Sequence, residues 1–330
     1  MPIDSKTLSA KKAAPGKLYD TFFVSEYGKL EALRAGRYNT QFSILLLTID
    51  GIDAQIHDDE ASDFIKKTSN KILEAIRPCD VAGMADDRQV AIILPETDYF
   101  GSLIAIRKLT KSLSTALTYE NPPKKVIMSQ ATFPNDGRGY GALISTASKR
   151  MADKKESLWE KNEFRTKLFW EIIGDITGST YKGFENSSFD LGGGQSLSES
   201  FIDQINELII REITLAPHKR GIAFFAAKKL STLPAINTLG HIGTLSTKVF
   251  LIGQSEDSLR EIKNATPIFL DDPRLRETFF TLYLTEDSGY SLICRENWGA
   301  TFSCFHSSDA YLVDGLINKF QLEYSLQEQL

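Results

Sequence analysis

The sequence predicts a mixed α/β (α+β) fold in two domains, and three observations carry that prediction. Helical and strand periodicities alternate through the first half, a single hairpin interrupts the alternation, and a second run of helix and strand patterns follows a Gly/Ser-rich stretch. At 330 residues the chain is long enough for two separate cores.

The elements follow in order. Residues 1–16, "MPIDSKTLSAKKAAPG", hold no apolar segment and read as a flexible tail rather than a signal peptide. Residues 17–35 predict a helix that turns Leu18, Phe22, Phe23, Leu30 and Leu33 to the core, and "FSILLLTID" (42–50) a buried strand. A helix over 62–76 uses Ile65, Ile72, Leu73 and Ile76 and is stopped by Pro78. Strands near 80–84 and 89–95 then form a hairpin whose tip is Ala85-Asp86-Asp87-Arg88-Gln89. An amphipathic helix carrying Leu103, Ile106, Leu109, Leu113 and Leu117, a strand over 125–133, the turn "PNDG" and a helix over 141–155 complete the first domain.

Residues 154–176 read as one long connecting helix with Trp159, Phe164, Leu168, Phe169 and Ile172 on its apolar side, and the Gly/Ser-rich residues after it as a linker. The second domain opens with a helix over 199–213 and strands near 221–226, 247–252 and 266–270. Strands over 277–284, 289–296 and 299–305 predict an antiparallel meander, and a helix over 308–325, capped by Ser308 or Asp309, closes the chain. The organisation expected is a tail (1–16), a first domain (17–155), a connecting helix and linker (156–185) and a second domain (186–330).

Composition narrows the function classes. A net charge of −5 without a polybasic stripe excludes an electrostatic nucleic-acid binder. No apolar run approaches the roughly 20 residues of a spanning helix, so no membrane insertion is expected. Cys79, Cys294 and Cys304 are too few and too scattered for a disulfide framework or a zinc cluster, and fit a reducing cytoplasm. His218, His241 and His306 lack metal spacing. "GGG" at 192–194 has neither the preceding strand nor the following Gly-Lys-Ser/Thr of a phosphate loop, and reads as linker. Arg274 and Arg276 beside Asp271 and Asp272 read as a surface ion-pair turn.

Three pieces, "ALRAGRYNTQFSILLLTID", "RPCDVAGMADDRQVAIILPETD" and "SQATFPNDG", occur in an order that resembles the GGDEF domain, the catalytic domain of diguanylate cyclases. The likeness runs through residues 17–155 and implies a cyclase-palm-like sheet with covering helices. In that family two Mg²⁺ ions and two GTP molecules meet at a symmetric dimer, where a 3′-hydroxyl attacks an α-phosphate. This chain departs from the pattern at the positions that matter. Its signature is Asp86, Asp87, Arg88, Gln89 and Val90, so two aspartates replace glycines and add negative charge facing phosphate. Arg88 replaces an acidic metal ligand and has no lone pair to offer a metal. Gln89 has an amide in place of a carboxylate, Thr48 stands for the metal aspartate of the first strand, and Asp53 for a lysine. These departures imply a catalytically silent domain, not an active diguanylate cyclase, with no metal and no Mg–GTP cofactor. Asp50, Asp53, Asp86 and Asp87 read either as a cation site or as solvated loops with Arg88 as counter-charge.

Five residues upstream of the signature, Arg77-Pro78-Cys79-Asp80 matches the family's product-inhibition pattern Arg-x-x-Asp. The resemblance implies cyclic di-GMP binding, with the Arg77 fork donating to guanine O6 and N7 and Asp80 accepting from N1 and N2. The alternative is an arginine on a helix C-terminal dipole beside a turn aspartate. Residues 186–330 resemble the DICT domain, a sensory module, through "TPIFLDDPRLRETFFTLYLTEDSGYSLICRE" and "SSDAYLVDGLINKFQLEYSL". Two functions are therefore expected in competition. One is an inactive cytoplasmic signalling protein that receives cyclic di-GMP and reports to signalling-protein partners. The other is a scaffold independent of nucleotide. The family's symmetric dimer makes a homodimer a candidate assembly.

Overall fold

The structure, a computed structural model, describes residues 18–50, 68–117, 125–178, 197–230, 233, 238–239, 243–254, 262–297 and 301–326. The N-terminal tail, the "GGG" segment, His241 and Asp53 lie outside the described residues. The chain divides into two compact units, residues 1–154 and 155–330, and each is a β-sheet covered by helices. The mixed α/β class is as predicted. Among the described residues no helix is long and apolar enough to cross a membrane.

Unit one is a four-stranded antiparallel sheet in the order β2-β3-β1-β4, built from β1 (Phe42–Asp50), β2 (Val81–Met84), β3 (Gln89–Pro95) and β4 (Lys125–Phe133). Its helices are α1 (Thr21–Tyr38), α2 (described over 68–75), α3 (Tyr99–Leu117) and α4 (Tyr140–Glu156). Side chains alternate between the sheet's faces with a period of two. Leu45 and Leu47 of β1 join Ile92, Leu94 and Met128 under Ile72 of α2 and Ile106 and Leu109 of α3. On the opposite face Phe42, Ile44 and Leu46 join Ile93, Ala131 and Phe133 under Val24 of α1 and Leu143 and Ala147 of α4. Burial on both sides is why β1 is a continuous apolar run rather than an alternating one.

The helix α1 corrects its predicted face. Phe22, Leu30 and Leu33, expected in the core, are 76%, 63% and 74% exposed, while Val24, Gly28, Glu31, Ala32 and Ala35 are buried. Close approach selects the small residues: a Cβ at Gly28 would collide with the ring of Tyr140 on α4. A Cβ at Gly83 of β2 would meet Tyr19, whose backbone bonds Ala82 and Met84 just before α1. Glu31 can be buried because its carboxylate takes both Nε and Nη2 of Arg34, each at 2.9 Å.

Unit two begins where the sequence predicts a single connecting helix. The chain instead forms α5 (Leu158–Lys161), a 3₁₀ turn (Phe164–Thr166) and α6 (Phe169–Gly178). The break has local causes. Ser157 leaves the helical region and caps α5, and Glu163 takes the left-handed conformation at φ 53°. The apolar residues that suggest a connector, Phe164, Phe169 and Ile172, are buried in the core of unit two.

The remaining elements are β5 (Leu197–Ser198), α7 (Glu199–Leu215), β6 (Gly221–Lys229), β7 (Thr247–Gln254), β8 (Thr266–Phe269), β9 (Thr278–Thr285), β10 (Gly289–Asn297), β11 (Thr301–Ser307) and α8 (Ala310–Glu323). Seven strands align as β5-β11-β10-β9-β6-β7-β8; β6, β7 and β8 are parallel, and β9-β10-β11 is the predicted meander. Phe225 and Leu251 face Ile209 and Ile213 of α7. Phe224, one residue away on β6, faces the opposite side, with its ring 5.6 Å from that of Phe320 on α8. Phe320 in turn meets Phe280 and Phe169, at 5.4 and 5.2 Å. Asp309 is the cap of α8, accepting from the Tyr311 and Leu312 amides. Cys294 and Cys304, ten residues apart, are buried opposite each other across β10 and β11 and joined as a disulfide. Expecting scattered, reduced cysteines overlooked that a hairpin register brings such a pair face to face.

Candidate functional site

The strand register of unit one separates two features that are close in sequence. Thr48 pairs with Gln89 and Phe42 with Pro95, so the hairpin tip over 85–88 and the turn Arg77-Pro78-Cys79-Asp80 lie at opposite ends of β3. At about 3.4 Å per residue that separation is about 20 Å.

At the Arg77 end the structure opens a cleft of about 910 Å³. Its lining comes from 39–41 after α1, from Ala75 to Arg77 and Asp80 at the end of α2 and in the turn after it, from Leu94 and Glu96 to Asp98 leading into α3, and from Pro134-Asn135 after β4, with Lys108 on its α3 wall. The volume falls in the range of small-molecule sites, about 300–1,000 Å³.

The cleft's basic group is held from the core outward. Ser43, fully buried on β1, donates to the Thr97 carbonyl at 2.9 Å and shares a hydrogen bond with the Thr132 hydroxyl at 2.8 Å. Thr97 thus has a fixed place, and its hydroxyl accepts from Arg77 Nη2 at 2.6 Å. Asp80 holds the same guanidinium from the other side, taking Nη2 at 3.1 Å and Nε at 3.4 Å, and also takes the Arg77 backbone N–H at 2.7 Å. The Asp80 amide returns a hydrogen bond to the Arg77 carbonyl at 2.9 Å, which closes the turn. This carboxylate raises the already high pKa of Arg77. The Arg77 side chain is 52% exposed and that of Asp80 only 3%.

The structure therefore brings the two Arg-x-x-Asp residues together, but Asp80 is spent on Arg77 and on the turn, so of these two only Arg77 is left to face the cleft. Thr97, Ser43 and Lys108 were not singled out from the sequence. Thr97 lies within the stretch "RPCDVAGMADDRQVAIILPETD", but a role for it becomes visible only once the register places it beside Arg77. Opposite charge is near: Glu96, in the left-handed region at φ 50°, and Asp98, whose Oδ1 accepts the Gly101 amide at 2.8 Å and caps α3, line the same cleft.

The hairpin tip has a different construction. Asp86, Asp87 and Arg88 are exposed, Gln89 is half-buried and Val90 is in the core. Asp86 Oδ1 accepts the Arg88 amide at 2.8 Å, and the Ala85 amide bonds the Gln89 carbonyl at 2.8 Å, so the tip is a turn closed by its own side chain. Among the described residues no group of three or more His, Cys, Asp or Glu side chains converges as a metal site. Two members of the acidic set, Asp53 and the Asp50 side chain, lie outside what is described.

No protein-family profile matches the chain. No curated protein matches it either. Solved structures do. The GGDEF domain of YfiN (TpbB) from Pseudomonas aeruginosa is 15% identical, with a TM-score of 0.35, over 43% of this chain and 92% of that one. A diguanylate cyclase protein from Thermotoga maritima is 14% identical, with a TM-score of 0.34, over 41% of this chain and 95% of its own. The GGDEF domain of DgcB from Caulobacter crescentus, solved with cyclic di-GMP, is 14% identical, with a TM-score of 0.35, over 42% of this chain and 86% of its own.

Proposed function

We propose that the chain is a catalytically silent signalling protein that receives cyclic di-GMP in the unit-one cleft, with Arg77 as its guanine-facing donor. One observation carries this reading. An arginine whose guanidinium is fixed by Asp80 and by the Thr97 hydroxyl keeps half its side chain exposed at the mouth of a ligand-sized cleft. Preorganisation of this kind lowers the ordering cost of binding, and Pro78 reinforces it by presetting the turn. In this arrangement Asp80 orients Arg77, and Lys108 offers a cation for phosphate.

Silence rests on the hairpin tip. Residues positioned there do not fit a magnesium-bound triphosphate: Arg88 cannot ligate a cation, and the Asp86 carboxylate closes its own turn. No turnover of GTP with Mg²⁺ is expected, and release of cyclic di-GMP or pyrophosphate would refute this part.

A nucleotide-independent scaffold is favoured by one fact, the consumption of the buried Asp80 carboxylate by Arg77. Isothermal titration of the pure chain with cyclic di-GMP decides between the two. A saturable heat whose affinity Arg77→Ala weakens at least about tenfold supports the receptor, and a flat titration of the wild type leaves the scaffold.

A further inference from the structure

The exposed face of α1 was expected in the core and is not there. Phe22 and Leu33 are 76% and 74% exposed, and between them lie Glu26 and Lys29, with side chains 53% and 59% exposed. At about 100° per residue these four fall within about 60° of one another around the helix, so they form one stripe. Leu30, 63% exposed, flanks it. Two large apolar side chains at the ends of a stripe, with an acid and a base between them, make an unusual solvent face.

The spacing within the stripe is symmetric. Glu26 follows Phe22 by four residues, and Lys29 precedes Leu33 by four, so both pairs share one midpoint between Tyr27 and Gly28. If two copies of α1 cross antiparallel about a two-fold axis at that midpoint, Phe22 of each meets Leu33 of the other. In the same register Glu26 of each meets Lys29 of the other. An isologous interface requires this self-complementarity, and a random apolar stripe lacks it. Within one chain Glu26 and Lys29 already pair at 2.7 Å, which places their charges on the stripe.

From this charge and apolar complementarity we infer that the α1 face is a homodimer interface, two copies of the chain packing α1 antiparallel with Phe22 on Leu33 and Glu26 on Lys29. A single pair of 18-residue helices buries less than the about 1,200 Å² of standard stable interfaces, so the association is weak and reversible. The Glu26–Lys29 pairs at its centre make it stronger at low salt. The inference does not depend on the cyclic di-GMP reading.

The test is sedimentation velocity of the full chain over a wide concentration range at low salt. Wild type shows a monomer–dimer equilibrium, and Leu33→Asp weakens it at least about tenfold, the scale of burying an unpaired charge in an apolar contact. Glu26→Lys and Lys29→Glu each weaken it, because like charges then face each other. An equimolar mixture of these two variants restores association, since every cross-chain pair is again Glu on Lys. Leu208→Ser, on the 64% exposed Leu208 of α7, changes nothing. A monomer at all concentrations overturns the inference. So does a dimer unmoved by Leu33→Asp, or one that Leu208→Ser disrupts. If Leu33→Asp fails to fold, the mixing result decides alone, and failure of the mixture to associate overturns the inference.

Discussion

Each unit holds a tight turn in which an aspartate pairs with an arginine beside a proline, and the two turns have different fates. In unit one Asp80 grips Arg77, and the guanidinium otherwise meets the Thr97 hydroxyl, the Pro95 carbonyl at 3.4 Å and an open cleft. In unit two Asp272 grips Arg274 as closely, taking Nη2 at 2.7 Å and Nε at 2.9 Å. There the surroundings close over the pair. The Arg274 guanidinium lies 4.7 Å over the Trp170 ring, Tyr324 donates to Asp272 at 2.6 Å, and Trp170 Nε1 donates to Tyr324 at 2.7 Å. Glu323 adds a further contact to Arg274 at 3.5 Å. The two arginines have similar exposure, 52% and 48%, so exposure alone does not mark a site. What packs against the unpaired side of the guanidinium decides whether a ligand can use it.

The comparison breaks most directly at binding. Arg77→Ala should cost the charged hydrogen bonds to a guanine, about 1.5–3 kcal/mol, or roughly a 10- to 150-fold loss of cyclic di-GMP affinity. Arg274→Ala should leave that affinity unchanged. Titration of both variants checks this, and equal losses would end the distinction.

Acid sharpens it next. Hydrogen bonds from Arg274, and also from Tyr324, hold the Asp272 carboxyl well below its usual range, at about 2. A carboxylate depressed in the folded state stabilises that state fully above its unfolded pKa of about 4, and loses the contribution as pH falls through the folded value. Unit two should therefore lose roughly 2 kcal/mol between about pH 4 and pH 2. All three tryptophans, Trp159, Trp170 and Trp298, belong to unit two, so tryptophan fluorescence in urea reports it selectively. Asp272→Asn should flatten this dependence, and an unchanged acid slope in the variant would refute the assignment. Tyr324→Phe, which removes one donor to Asp272 and the acceptor of Trp170, should cost about 1–2 kcal/mol by the same probe at neutral pH.

Much of the fold was legible because strands buried on both faces are apolar runs that few other structures produce. β1, β3, β4 and β6 to β11 all fall close to their predicted spans. Two readings failed for one reason: apolar periodicity shows that side chains share a face, but not what that face meets. On α1 the core face is held by Val24, Gly28, Glu31, Ala32 and Ala35, and at Gly28 the ring of Tyr140 leaves no room even for a Cβ. Over 154–176 Trp159, Phe164, Phe169 and Ile172 belong to a core rather than a connector while Leu168 is exposed, and the break at Glu163 leaves little trace in composition. The candidate site was half legible. Arg77 and Asp80 form a local pattern, whereas Thr97 and Lys108 reach the cleft, and Ser43 reaches Thr97 from the core, only through strand pairing and helix docking. No motif within a single segment encodes that convergence.

The smallest expected effect concerns the hairpin tip, the region whose residue types looked most like chemistry. Asp87 is exposed at the turn, and replacing it with serine should change the stability of unit one by no more than about 0.5 kcal/mol. Asp86→Ala should cost slightly more, about 0.5–1 kcal/mol, because it removes the acceptor of the Arg88 amide. Neither should alter cyclic di-GMP affinity, because the tip and the cleft are separated by the length of β3. Thermal unfolding of the two variants, with titration of each, tests both statements. A large loss of stability at Asp87 would mean that the tip is built into the fold. A loss of binding would mean that the two ends of the sheet act as one site, which their separation along β3 opposes.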